Sequence, residues 1–124
     1  LRWVPQEASE TGLSIGPGES ILIPTGCKFA IPHGYMMEIK NKSGIASKRK
    51  LLVGACVVDS GYEGEVFVNL HNIGGSTKVI KPGQKVAQAV LVPISTCEVE
   101  ETTEDPSNTK TSRSSGGFGS TGLT

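Results

Sequence analysis

At 124 residues and 13.0 kDa, the chain has the length of one domain with a single modest core. Lys plus Arg (12) balances Asp plus Glu (12), and a formal net charge of zero argues against a general polyanion binder, though not against a small anionic ligand held by a few local groups. Gly at 16 positions, beside one Trp, two Tyr and three Phe, argues against long helices and for many turns or a glycine-rich loop.

No apolar run approaches the ~20 residues of a membrane-spanning helix, and no secretory leader is visible. Cys27, Cys56 and Cys97 are odd in number and far apart, matching neither a zinc spacing nor a disulfide framework. The expected setting is a reducing, intracellular one, cytoplasmic or nuclear, with no membrane and no nucleic-acid partner. The chain starts at Leu1 rather than Met, so its natural beginning is expected upstream.

The apolar pattern has period two in short pieces separated by turn chemistry. Gly16-Pro17-Gly18 precedes a strand at Ile21-Leu22-Ile23-Pro24, and a second piece, Lys28 to Ile31, ends at Pro32-His33-Gly34. Met36 to Lys40 is a third, with Met37 and Ile39 on one face, and Ile45 to Lys50 suits a short helical turn. Leu51 to Val58 is apolar on both faces and contains Gly54, so it reads as a central strand or hairpin arm. In Glu65 to Leu70 the side chains of Val66, Val68 and Leu70 share a face. Gly74-Gly75 and Pro82-Gly83 bracket a strand at Thr77 to Ile80, and Val86 to Val92 is the last strong one. Many short strands at close spacing predict an all-β sandwich or barrel.

After Pro93 the composition changes. Glu98, Glu100, Glu101, Glu104 and Asp105 crowd one stretch, and Thr102 to Ser115 is almost wholly polar. Such a segment lacks the apolar surface for a core and reads as a tether. The expected division is a β domain over 1–95, a tether over 96–112 and an arm over 113–124. The arm ends in Gly116-Gly117-Phe118-Gly119-Ser120-Thr121-Gly122, which is linker composition. Yet one Phe among glycines can fold over a flat ligand, while hydroxyls and backbone N–H groups can form an anion nest.

Three further clusters carry candidate chemistry, each with a plainer reading beside it. Asn41-Lys42-Ser43-Gly44 offers a hydroxyl, a cation and free N–H groups beside a helix start, which suits phosphate; it is also the composition of a turn with a capping Ser. Asp59-Ser60-Gly61-Tyr62 follows an apolar strand, so Asp59 emerges at a sheet edge, as an Asx cap or as a base orienting water near a phosphate. Lys81-Pro82-Gly83-Gln84-Lys85 reads as a hairpin turn, followed by Gln88, polar within an apolar strand and in need of a partner if buried. With only His33 and His71, no His/Cys metal cluster and no Ser/His/Asp set is credible.

Taken in order, Pro24-Thr25-Gly26, Asn41 to Lys48, Gly54 to Gly64, Gly83 to Gln88 and Arg113 to Gly122 resemble the trimeric deoxyuridine triphosphatase (dUTPase) family. The most specific stretches are Val57 to Glu65 and Thr111 to Gly122, and the likeness spans about residues 16 to 122. The resemblance implies a β jelly-roll homotrimer with active sites between subunits, cleaving dUTP to dUMP and pyrophosphate with Mg²⁺. Such an activity supplies dUMP and limits uracil incorporation into DNA. By analogy Asp59 orients the water that attacks the α-phosphorus, and Tyr62 stacks under the deoxyribose, leaving no room for a 2′-hydroxyl. Backbone groups from Gly54 to Val58 read the uracil edge against a close wall that refuses a 5-methyl. Cytosine presents a donor where uracil presents an acceptor, so those groups would face an unpaired partner. Lys42, Ser43 and Gly44 hold phosphates and Gln88 supports the α-phosphate. Phe118 closes over the uracil, and Arg113, Gly119, Ser120 and Thr121 belong to the same lid, at the γ-phosphate end. A metal-bound triphosphate needs few protein charges, which suits a neutral chain. From Pro93 to Arg113 roughly twenty residues reach up to ~65 Å when extended, ample for a neighbouring subunit.

The chain departs from the family pattern at named positions. Thr11-Gly12-Leu13-Ser14-Ile15 is the nearest match to the first motif, with Ser14 in the place of an acid that helps hold the metal's waters. Either the true motif lies upstream or it has changed, so protein ligands for the metal are unassigned. Lys42 stands for the usual Arg, Gln84 and Lys85 for the usual Asp and Arg, and Cys56 for a small glycine. The alternatives are a dUTPase-like nucleotide-binding or regulatory protein with impaired catalysis, a dCTP deaminase and a β-rich structural trimer.

Overall fold

The computed structural model describes residues 1–105, 113, 115–119, 121 and 122. Among these, the period-two segments form eight short strands and the only regular helix has seven residues. In chain order they are β1 (Leu13–Ile15), β2 (Ser20–Pro24), β3 (Tyr35–Lys40), α1 (Ser43–Arg49), β4 (Leu51–Val53), β5 (Val57–Asp59), β6 (Phe67–Asn72), β7 (Lys78–Ile80) and β8 (Gln88–Pro93). All pairings between them are antiparallel, in three sheets ordered β1-β7, β2-β6-β4 and β5-β3-β8. The fold is the all-β class that the spacing predicts, a layered sandwich whose described strands do not close into one barrel.

The inward faces meet in a single core. Ile23, Leu51, Val68 and Leu70 come from the β2-β6-β4 sheet, Ile39 from β3, and Ile15 and Ile80 from the β1-β7 pair. Met37, Val58 and Ala89 pack on it from the third sheet, as the alternation at Met37 and Ile39 requires. Trp3 is fully buried, a core residue with no strand pattern around it. Its backbone explains its place: Trp3 N–H donates to Gln84 O (3.1 Å) and Trp3 O accepts from Gly83 N–H (2.9 Å).

Three local expectations change. Lys28 to Ile31 forms no strand; Gly26 sits at φ 67° and Pro32 follows, so the segment crosses the surface without a ladder. It is tied at its two ends instead: Val66 N–H donates to Cys27 O (2.9 Å) just before it, and the Ser60 hydroxyl donates to Ile31 O (3.0 Å). Leu51 to Val58 is two strands in two sheets, β4 beside β6 and β5 beside β3, joined by Gly54–Cys56. Lys81 to Lys85 is a tight turn, with Gln84 N–H donating to Lys81 O (3.0 Å) and Gly83 at φ 76°, yet no hairpin, because β7 and β8 pair with different partners. In addition, Ser43 begins α1 without capping it; Lys42 is the N-cap and makes no side-chain cap bond.

Asn72 ties the end of β6 to everything around it. Its side-chain amide donates to Ile15 O (2.8 Å) and Ser76 O (2.9 Å), and its Oδ1 accepts from Gly74 N–H (2.9 Å). The residue is 1% exposed, so no water replaces those bonds. Asn72→Ala should therefore lower stability by about 3 kcal/mol, the cost of stranding buried carbonyls and an N–H, read from the midpoint of urea unfolding at unchanged m.

Candidate active site

Asp59 closes β5, an edge strand, and the chain then turns back on itself: Tyr62 N–H donates to Asp59 O (3.2 Å) with Gly61 at φ 92°. Both the exposed carboxylate and the turn follow the sequence reading. Ser60 anchors the turn through its hydroxyl, which donates to Ile31 O at 3.0 Å. The Tyr62 hydroxyl donates to Glu65 O (2.7 Å), laying the ring across Gly64, where an added Cβ would meet the phenol oxygen. Asp59 and Tyr62 thus share a cleft of about 300 Å³ lined also by Leu22, Val57, Phe67 and Glu65. Val58 is in the cleft wall, but its side chain packs on the core.

The ladder to β3 decides which backbone groups face this cleft. Ile39 N–H donates to Cys56 O at 2.7 Å, and Met37 lies opposite Val58. In an antiparallel pair hydrogen-bonded positions alternate, so the amides of Cys56 and Val58 point at β3. The N–H and C=O of Val57 therefore point away from β3, out of the free edge of the sheet. An acceptor and a donor side by side on a fixed backbone can read the edge of a planar base.

The phosphate candidates gather elsewhere. The Gln88 amide donates to Asn41 O (2.9 Å), which joins the start of β8 to the segment entering α1. Lys42 is half-buried there, while Ser43 and Gly44 are exposed, and a Cβ added at Gly44 would meet open space. No acidic residue occupies the first turn of α1, where it would repel an anion. On β3, Asp59 stands opposite Met36 and Gln88 opposite Lys40. The two side chains are on one outer face, but about 13 Å apart along the strand and about 10 Å apart across it. Between them the Lys40 ammonium pairs with the Glu38 carboxylate at 2.9 Å, which pushes the Lys40 pKa up.

Ser14 is exposed in the middle of β1, opposite Val79. Gly54 begins the passage from β4 to β5, with its N–H donating to Asn69 O (2.9 Å). In the arm, Arg113 Nε donates to Gly116 O (2.7 Å), Phe118 and Thr121 are exposed, and Gly119 sits at φ 101°. Ser120 lies outside the described residues. The structure therefore gathers Asp59 and Tyr62 in one place and Lys42, Ser43, Gly44 and Gln88 in another, with the arm residues joined to neither. Leu22, Phe67 and Glu65 were not candidates; an outward Leu22, 64% exposed within an apolar strand, is the available signal for the first of them.

The family model described as dUTPase matches residues 8–122. The deoxyuridine 5′-triphosphate nucleotidohydrolase of Chlamydia trachomatis is 41% identical over 112 residues, covering 89% of this chain and 76% of that protein. A mutant dUTPase of Staphylococcus bacteriophage 80alpha, solved with dUpNHpp, superposes with a TM-score of 0.82 at 23% identity, covering 99% of this chain and 92% of its own. A mutant dUTPase from phage phi11 of S. aureus, solved to describe the coordination of a structural Mg(II) ion, superposes with a TM-score of 0.72 at 24% identity, covering 83% and 90%. No described helix is long and apolar enough to cross a membrane. With the jelly-roll β fold shared and the family model matched over most of its length, this chain belongs to the dUTPase family of nucleotide hydrolases.

Proposed function

We propose that the protein hydrolyses dUTP to dUMP and pyrophosphate, at sites completed by neighbouring copies in a homotrimer. The observation that carries this reading is the pairing of Asp59 with the outward backbone of Val57 in one cleft, in a chain of this family. The Asp59 carboxylate accepts a hydrogen bond from a water and takes its proton as the water oxygen attacks the α-phosphorus. The bond from the α-phosphorus to the bridging oxygen breaks, and pyrophosphate leaves with that electron pair. Tyr62, held by Glu65 O, is the platform under the deoxyribose. The Val57 N–H donates to a uracil carbonyl and its C=O accepts from the uracil N3–H, a pattern that cytosine inverts.

Lys42, with the N–H groups of Ser43 and Gly44 and the Gln88 amide, holds the phosphates. These groups are too far from Asp59 of the same chain for one triphosphate to use both without distortion, which is why the reading requires a second copy. Exposed apolar side chains beside Asp59, on β8 and just after it, among them Val57, Val90, Leu91 and Ile94, are surface that another copy can cover. The division into a 1–95 domain, a 96–112 tether and a 113–124 arm fits a lid in which Phe118 covers the base while Arg113, Gly119 and Thr121 serve the phosphates. Closure of such a lid excludes water other than the attacking one.

Among the described residues no group of three His, Cys, Asp or Glu side chains could hold a metal ion. An Mg²⁺ would then be held chiefly by the substrate's phosphates and water, and Ser14 would contribute no charge to it. When bound there, Mg²⁺ neutralises charge on the phosphates and on the departing pyrophosphate.

Pyrophosphate release from dUTP, with and without Mg²⁺ and beside dTTP, dCTP and UTP, tests the reading directly. Release confined to dUTP is the expected result; binding of dUTP without release would point to the regulatory alternative. Asp59→Asn should lower kcat by about 10³-fold while leaving dUTP binding within about twofold, because the amide keeps the shape but takes no proton. Co-refolding Asp59→Asn subunits with Lys42→Ala/Gln88→Ala subunits should restore turnover that neither variant has alone. Absence of any such rescue would show that each site is built from one chain.

A further inference from the structure

The outward row of β6 runs Phe67, Asn69, His71. Phe67 lines the cleft, as does Leu22 opposite Asn69, and the row then continues to His71, opposite Leu52 on β4. Asn69 and His71 are half-buried and take no part in the chemistry above. They do touch the passage between the two sheets. Ala55 N–H donates to Asn69 Oδ1 (3.2 Å), His71 Nε2 lies 2.9 Å from the same oxygen, and Asn69 Nδ2 is 3.4 Å from Ile21 O.

These contacts fix the proton positions. A backbone N–H can only donate and a backbone carbonyl can only accept, so the Asn69 amide has its oxygen toward Ala55 and its nitrogen toward Ile21. His71 Nε2 therefore meets an acceptor and carries the proton. The Asn69 oxygen spends both lone pairs, one on the histidine and one on the crossover. Its backbone oxygen takes Gly54 N–H as well, so one residue receives two successive amides. A Cβ at Gly54 would overlap both His71 Nε2 and Asn69 Oδ1, which shows how closely the pair is set against the chain. At the far ends, Asn41 Oδ1 receives Val53 N–H (2.8 Å) and Cys56 O receives Ile39 N–H.

We propose that Asn69 and His71 are positioning residues that hold the Gly54–Cys56 crossover, and through it set discrimination between uracil and other pyrimidine bases. The inference rests on the dUTP reading and deepens it. Val57 is one residue beyond the crossover, so a shift of Ala55 carries the Val57 N–H and C=O out of register with the base. His71 acts through Asn69: its N–H donor prevents the amide from rotating its oxygen away from Ala55.

The test is steady-state pyrophosphate release from dUTP, dTTP and dCTP by the full chain and by variants of this pair. Asn69→Ala should raise KM for dUTP about fivefold, leave kcat within about twofold and lower the dUTP-over-dCTP ratio of kcat/KM about tenfold. Asn69→Asp keeps the acceptor and should keep the ratio within about twofold. His71→Gln sets an amide N–H near the position of Nε2 and should retain selectivity, whereas His71→Asn, whose amide matches Nδ1 instead, should lose it in the same direction as Asn69→Ala. A merely structural role would lower kcat or melting temperature for all substrates alike and leave the ratios unmoved. Unchanged ratios in Asn69→Ala, or equal ratios in His71→Gln and His71→Asn should Asn69→Ala fail to fold, overturn the proposal. A wild type that releases no pyrophosphate from dUTP overturns the functional reading itself, whereas an active wild type with unmoved ratios overturns this inference alone.

Discussion

The constraint on which the architecture turns is the three-residue passage from β4 to β5. Leu51 to Val53 pair with β6, while Val57 to Asp59 pair with β3 in another sheet. Two sheets can share a chain only if the backbone bends between them without stranding its amides. Here Gly54 N–H and Ala55 N–H donate to one asparagine and Cys56 O accepts from Ile39 N–H, so the bend is tied to both sheets. The bend delivers β5 to the edge of its sheet, the one place where a short strand can present backbone groups to a ligand. The outward Val57 amide and the edge position of the Asp59 carboxylate both follow from that delivery.

A second consequence concerns distance. Because β3 lies between β5 and β8, the carboxylate and the glutamine are held on the same face but at opposite corners. A rigid three-stranded sheet cannot close that gap by side-chain motion. On the proposed reading, each chain supplies the base-reading half of one site and the phosphate half of another. The exposed apolar residues along this sheet then have a role as contact between copies, and assembly and chemistry become one requirement. The central Glu38–Lys40 pair is solvent-exposed at its lysine end and contributes little to stability by itself.

Much of this was legible in the residues, for reasons that can be named. Alternation at Met37 and Ile39 and at Val66, Val68 and Leu70 identified inward faces, because a strand with one buried side leaves that trace. Asp59 at an edge followed by a tight turn was legible because an apolar run meets Ser60-Gly61 there. Pairing between distant segments was not legible: the split of Leu51 to Val58 depends on β3 and β6, and nothing within those eight residues announces two partners. Lys28 to Ile31 misled because it is tied only at its ends, by Val66 N–H at Cys27 and by the Ser60 hydroxyl at Ile31, and has no ladder. Trp3 escaped because its backbone is placed by pairing with residues 83 and 84, some eighty residues on in the chain. The Asn69–His71 pair left only an ordinary trace, polar residues alternating on a half-exposed strand.

The replacement of a small glycine by Cys56 can now be weighed physically. Its thiol is exposed and its carbonyl is what the sheet uses, through Ile39 N–H at 2.7 Å. On the proposed reading the base is recognised by main-chain atoms, and such a site tolerates side-chain change wherever the side chain is free of its neighbours and φ stays ordinary. Gly54 does not tolerate such change, since the space its missing Cβ would need is occupied by His71 and Asn69. Cys56 is not among the positions of positive φ, so it needs no glycine on conformational grounds. The two neighbours therefore differ in tolerance for a steric reason, and the same reasoning extends to Gly64, where the Tyr62 ring fills the space a methyl group would need. Glycine is demanded in this segment where another side chain has been packed against the backbone, and is dispensable where the space beside the backbone is open and φ is ordinary.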